Sequence, residues 1–223
     1  MPRKSTPRST TAAAATPKAT RQQQRRSQIV NAAVRLFSER GYYQTTIDDV
    51  AQAAEVSKGL VYRYFTNKDD LLFYCLRYVL DKYEPEDVQQ LIAKRGPLGA
   101  LNEILSTHCA LAQEHIREVI LAYKSTSDLS AKHRREIKIL ESRIVRAIRQ
   151  ALEACVHGGL MHAVNLDIMA YQYVMYGHTW ALKHWTYGDR YTHLDYLAEG
   201  RKLLILPHLT KAGLAEFKRL KVE

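Results

Sequence analysis

The chain is 223 residues long, 46% hydrophobic and 25% charged, which is ordinary for a soluble globular protein and long enough to bury a real core. No run approaches the ~18 consecutive apolar residues of a membrane span, and "AAAA" at 12–15, followed by Pro17, is too short for the centre of a secretory signal. The net charge is +10, and residues 1–68 hold twelve Lys/Arg against four acids, so eight of those charges lie on the first third and point to a polyanionic partner there. A basic tail that only aids solubility is the plainer alternative, and an organelle transit peptide is a weaker one. Three widely spaced cysteines, Cys75, Cys109 and Cys155, make no disulfide framework, so a reduced, cytoplasmic protein is expected.

Residues 1–20, rich in Ser, Thr, Ala and Pro with scattered cations, lack the apolar content to offset ordering entropy and read as a disordered basic arm. From about residue 22 the chain reads as consecutive helices. Ile29, Ala33, Leu36 and Phe37 form a helical stripe that Gly41 closes. Thr46 is a good N-cap for "IDDVAQAA", with Asp48 and Asp49 at the positive helix end. A second short helix follows at roughly 57–64, capped by Ser57, and Asn67 opens a longer one. Further helices are expected at about 97–124, 130–157, 165–187 and 192–206. No segment alternates with period two. The fold class is therefore all-α: a small N-terminal helical unit (21–67) followed by a larger bundle (68–223).

The short helix in "VSKGLVYRYFTNK" (56–68) carries an unusual face. At about 100° per residue, Leu60, Val61, Tyr64 and Phe65 share one arc, while Lys58, Gly59, Tyr62 and Arg63 lie opposite. Glycine costs about 1 kcal/mol relative to alanine inside a helix, so Gly59 makes sense where something must approach the backbone closely. The N–H groups beyond Ser57 suit a phosphate, and a DNA major groove accepts such a helix. Two short helices joined by a tight turn form a helix-turn-helix with the second as reader; two plain core helices are the alternative.

The stretch "RRSQIVNAAVRLFSERGYYQTTIDDVAQAAEVSKGLVYRYFTNKDDLL" resembles the DNA-binding domain of TetR-family bacterial transcriptional regulators. The likeness covers about fifty residues. It runs through Phe37, Gly41, Tyr42, Thr45, Thr46, Ile47, Val50, Ala51, Val56, Ser57, Tyr62, Phe65, Lys68 and Leu71. It implies that Thr46, Tyr62 and Lys68 contact phosphates. It also implies that Ser57, Lys58, Gly59 and Leu60 face base edges, with Tyr64 a further contact, although the helical wheel sets Leu60 and Tyr64 on or near the core arc. Arg63 joins the outward set by the wheel. Glu55 stands where the family's turn usually has glycine, so strain of about 1 kcal/mol or more is expected if it keeps a left-handed conformation.

The resemblance further implies a C-terminal bundle that holds a small-molecule effector and a homodimer interface. Over 165–187, Ile168, Tyr171, Met175, Leu182 and Trp185 lie along one face, and Met169, Tyr173, Tyr176, Trp180 and His184 along its neighbour. A helix apolar over so much of its circumference needs cover on two sides, such as its own core and a second subunit; one large monomeric core is the alternative. His178, Trp180, His184 and Trp185 read as a candidate pocket wall for a hydrophobic effector, or else as core or interface residues. The basic run 132–149 would suit an anionic head group, such as that of an acyl-CoA, or a solvated face. No metal, cofactor or membrane partner is expected, and no motif nominates an enzyme.

The leading expectation is therefore a homodimeric, ligand-responsive transcriptional regulator, by family more often a repressor, acting on a palindromic double-stranded DNA operator. The competing classes are an architectural DNA-binding protein whose bundle only dimerises, and a ligand-binding module with vestigial DNA contacts.

Overall fold

The computed structural model describes residues 17–82 and 87–220. Its order is α1 (Pro17–Arg40), α2 (Ile47–Ala53), α3 (Lys58–Tyr64), α4 (Lys68–Lys82), α5 (Val88–Glu114), α6 (Ile116–Ser125), α7 (Ala131–His157), α8 (Leu166–Leu182), α9 (His184–Tyr187), α10 (His193–Leu204) and α11 (Lys211–Arg219). Short 3-10 turns follow α6 (Thr126–Asp128) and α10 (Leu206–His208). Among the described residues there is no strand, only an isolated antiparallel bridge between Met161 and Leu209. No helix among them is long and apolar enough to cross a membrane.

The helix starts follow from local chemistry. Thr46 Oγ1 accepts from Asp49 N at 3.1 Å while Asp49 accepts from Thr46 N at 2.7 Å, a reciprocal capping box. Ser57 Oγ accepts from Leu60 N at 3.2 Å, Asn67 Oδ1 from Asp70 N at 2.8 Å, and Asn165 Oδ1 from Ile168 N at 3.1 Å. Gly41, at φ 90°, ends α1 with its N–H donating to Phe37 O.

Four expectations need correction. Helix α1 begins at Pro17, so residues 17–20 are helical rather than part of an arm; proline is well placed in a first turn, and "KATRQQQRR" holds strong helix formers. Residues 1–16 of that arm lie outside the described residues. The helix expected over 97–124 starts at Val88, is kinked at Gly96 (φ 74°) beside Pro97, and is interrupted at His115 (φ −119°). The helix expected over 165–187 breaks at Lys183 (φ −119°) into α8 and α9. Finally, α11 was not expected; Thr210 caps it by accepting from Gly213 N, and Phe217 and Leu220 pack it onto the bundle.

Two cores result. The first joins Ile29, Ala33, Phe37, Val50, Val61 and Phe65 to Leu71, Leu72 and Leu76 of α4, and extends to Leu121, Leu129 and Ile137 of the bundle. The second lies among α5, α7, α8 and α10 around Leu101, Leu105, Ile148, Leu152 and Tyr173. Each fully buried Leu, Ile or Phe stabilises the fold by about 1.5–3 kcal/mol. Helix α4 thus links the head to the bundle.

Candidate functional site

On α3 the core arc and the outer arc separate as the sequence implies. Val61 and Phe65 are buried, and Leu60 and Tyr64 are half-buried, Tyr64 packing against the first core. Ser57, Lys58, Gly59, Tyr62 and Arg63 are exposed. A Cβ built on Gly59 would meet nothing within 4 Å, so the backbone there is open to solvent. The first turn of α3 therefore presents its N–H groups, a cation and a bare Cα side by side, with the Tyr62 phenol and Arg63 one turn on.

The turn before α3 keeps its shape without glycine. Glu55 sits at φ 52°, in the left-handed region, and its N–H donates to Gln52 O while Val56 N donates to Ala51 O. The strain falls on one residue, and the Glu55 carboxylate lies exposed beside the reader helix.

Two cations are already engaged. Lys58 Nζ lies 2.7 Å from Asp48 Oδ2, and that bond raises the Lys58 pKa. The pair is exposed, so phosphates could compete for Lys58. Lys68 is held more firmly: its ammonium donates to the carbonyls of Tyr42 (2.9 Å) and Thr45 (3.1 Å) and lies over the Tyr42 ring at 4.4 Å. In this arrangement Lys68 fastens the α1–α2 turn, directly before the exposed Thr46.

A clasp ties this head to the bundle. Asp69 accepts from Ser130 N at 2.7 Å and from His133 Nδ1 at 2.6 Å, and the His133 ring stacks on Phe73 at 4.3 Å. Asp128 of the same loop approaches the Tyr43 phenol and raises its pKa.

In the bundle, a cavity of about 540 Å³ opens among α4, α5, α6, α7 and α8. Leu76, Val79, Val119, Ile144 and Val174 supply apolar wall; His108, Glu118, Tyr123, Glu141 and His178 supply polar groups. Of the four candidate pocket residues, His178 alone borders it. Trp180 is buried away from the cavity among Tyr187, His193 and Tyr196, with its Nε1 donating to Gln113, and His184 packs on its ring. Trp185, 76% exposed, points to solvent. The i, i+4 spacing of Trp180 and His184 was real but marked a core contact. Tyr123, Glu118 and Glu141 carry no sequence signal, because α6 and α7 must pack against α5 and α8 before they border one cavity with His108 and His178.

An exposed reader helix on a helix-turn-helix, joined to a bundle with an internal cavity, defines a DNA-binding transcription regulator. Residues 29–75 match the family model described as bacterial regulatory proteins, tetR family. Over 191 residues, 86% of this chain and 83% of the relative, the sequence is 44% identical to the HTH-type transcriptional regulator HbdR of Aromatoleum sp. (strain CIB). It is 34% identical to the HTH-type transcriptional regulator BetI of Burkholderia ambifaria (strain MC40-6) over 93 residues, 41% of this chain and 48% of that one. The chain belongs to the TetR family of transcriptional regulators and is not an enzyme. Its fold resembles that of AibR, solved in complex with isovaleryl coenzyme A and operator DNA (TM-score 0.70, 22% identity, 81% of this chain and 97% of that one). It also resembles the TetR family regulator PfmR from Thermus thermophilus (TM-score 0.69, 22% identity, 82% and 99%).

Proposed function

We propose that two copies of this chain bind a palindromic operator and repress transcription until a small hydrophobic effector enters the bundle cavity. The observation that carries the DNA-reading part is the first turn of α3, where Ser57, Lys58 and Gly59 are exposed while Val61 and Phe65 anchor the opposite side. Thr46, Tyr62 and Lys68 are the proposed phosphate contacts. Ser57, Lys58, Gly59 and Leu60 are the proposed base-edge contacts, flanked by Arg63 and Tyr64. The engaged Lys68 ammonium supports an indirect part for that residue, through the turn it holds.

Pairing of two copies is supported by apolar surface. Ile168 on α8, and Leu194 and Leu203 on α10, are exposed although Tyr173 and Trp180 fill the core side of α8, whereas the exposed Tyr171 and Met175 border the cavity. That division fits a second subunit rather than a monomeric core. An acyl-CoA effector is supported by the fold neighbour AibR, solved with isovaleryl coenzyme A. The exposed cations Lys132, Arg135, Lys138, Arg143 and Arg146 on α7, which also borders the cavity, suit an anionic head group.

The test is binding of the purified chain to its own promoter region and to shuffled DNA of equal length, across a salt series. A regulator discriminates strongly between the two, with a steep salt slope on both. An architectural binder would treat the two fragments alike, and that result would replace this reading.

A further inference from the structure

Asp48 and Asp49 stand side by side in the first turn of α2 but do different things. Asp49 closes the capping box with Thr46. The Asp48 carboxylate instead reaches across to α3, where its Oδ2 lies 2.7 Å from Lys58 Nζ. Both side chains are more than half exposed, and an exposed ion pair adds little to stability, so bracing the fold is a poor account of it. The pair stands on the reading side of α3, beside exposed Ser57 and the open backbone of Gly59.

Duplex DNA offers Lys58 two kinds of acceptor. A phosphate would draw the ammonium away and leave the Asp48 carboxylate beside a backbone of its own sign. A base pair asks for no such separation, because its major-groove edge carries donors as well as acceptors. After its bond to Asp48, the ammonium keeps two N–H donors, and the carboxylate keeps free lone pairs. The ion pair thus presents two donors followed by an acceptor. Guanine N7 and O6, followed by the N4 amine of the paired cytosine, are its complement. The spacing agrees as well: guanine O6 and cytosine N4 are hydrogen-bonded to each other at about 2.9 Å, against 2.7 Å between Lys58 Nζ and Asp48 Oδ2. An A·T pair presents acceptor, donor and acceptor with a methyl beyond, so the match fails at its second group, and a C·G pair offers the right groups in reverse order.

We infer that Asp48 is a specificity residue: the Lys58–Asp48 ion pair enters the major groove intact and reads one G·C base pair, Lys58 donating to guanine N7 and O6 while Asp48 accepts from cytosine N4. This rests on the reading of α3 as the DNA-recognition helix and adds to it a reader from α2. Asp48 then contributes discrimination rather than affinity, since its charge weakens the attraction to every duplex.

The experiment selects duplexes from a randomised library with the full chain, then measures fluorescence anisotropy on the selected site with each base pair replaced in turn. Asp48→Ala, Lys58→Ala and the double variant are read on the same set. In the parent, replacing one particular G·C pair should cost roughly tenfold or more in affinity. Asp48→Ala should narrow that discrimination several-fold at this pair alone, Lys58→Ala should do so at the same pair, and the double variant should lose no more than Lys58→Ala. If Asp48→Ala tightens every duplex by one common factor and leaves the ranking unchanged, the inference is overturned and α3 remains the reader. Effects of the two variants at different positions, additive losses in the double variant, or a shared position that prefers any other pair overturn it too. Failure of the parent to enrich any sequence overturns the DNA-reading proposal and this inference with it.

Discussion

Gly59→Ala separates folding from DNA reading, because its two effects have opposite signs. The added methyl meets nothing within 4 Å, and the position is helical with no left-handed requirement, so the fold has room for it. Alanine is favoured over glycine by about 1 kcal/mol in a helix interior; at the second residue of seven, roughly half of that is expected. For a chain of this size that raises the thermal midpoint by roughly 1–2 °C. If DNA comes against the bare Cα, the same methyl holds the helix off the groove, and a tenfold loss of affinity corresponds to about 1.4 kcal/mol. Differential scanning calorimetry and fluorescence anisotropy on the promoter fragment read the two effects separately. A stabilised variant that binds DNA as tightly as the parent would refute the idea that this backbone is approached.

Glu55→Gly should relieve left-handed strain of about 1–2 kcal/mol, less about 0.5–1 kcal/mol for the freer unfolded chain. The net gain of about 0–1.5 kcal/mol should raise the midpoint by up to roughly 6 °C, and a fall would show that Glu55 is not strained. Asp48→Asn frees Lys58 and removes an acid beside the reader helix; affinity for any duplex should rise several-fold in anisotropy titrations at low salt, and no change would mean that Lys58 does not meet DNA. Asp69→Ala strands the Ser130 amide and the His133 ring. It should cost about 2 kcal/mol, lowering the midpoint by roughly 4–8 °C, with partial recovery in Asp69→Asn; a midpoint within about 1 °C of the parent would show that the clasp adds no stability.

Much of the head was legible because its signals are local. Thr46, Ser57 and Asn67 announce helix starts through side chains that reach only three residues ahead, and Gly41 announces a stop. The face of α3 followed from a helical wheel over Lys58 to Phe65. Interruptions at His115 and Lys183 were hidden because neither position holds Gly or Pro, and the apolar pattern runs through both. The cavity was illegible for a different reason: His108, Tyr123, Glu141 and His178 come from four helices, and nothing in their spacing records that they meet. Long-range bonds behave likewise. The family resemblance gives Lys68 as a phosphate contact, yet the Tyr42 and Thr45 carbonyls, far back along the chain, hold its ammonium.

The loop after α6 is short and has little slack. Thr126 borders the cavity and bonds to the Ala122 carbonyl, Arg134 reaches back to the Ser127 carbonyl, and Ser130 is already fixed to Asp69. Whatever nudges Thr126 must therefore be absorbed before Ser130 or handed to the start of α4, next to the lysine that pins the α1–α2 turn. A covalent leash of this length would let an occupant of the bundle tug on the operator-facing end without any rearrangement of the larger core.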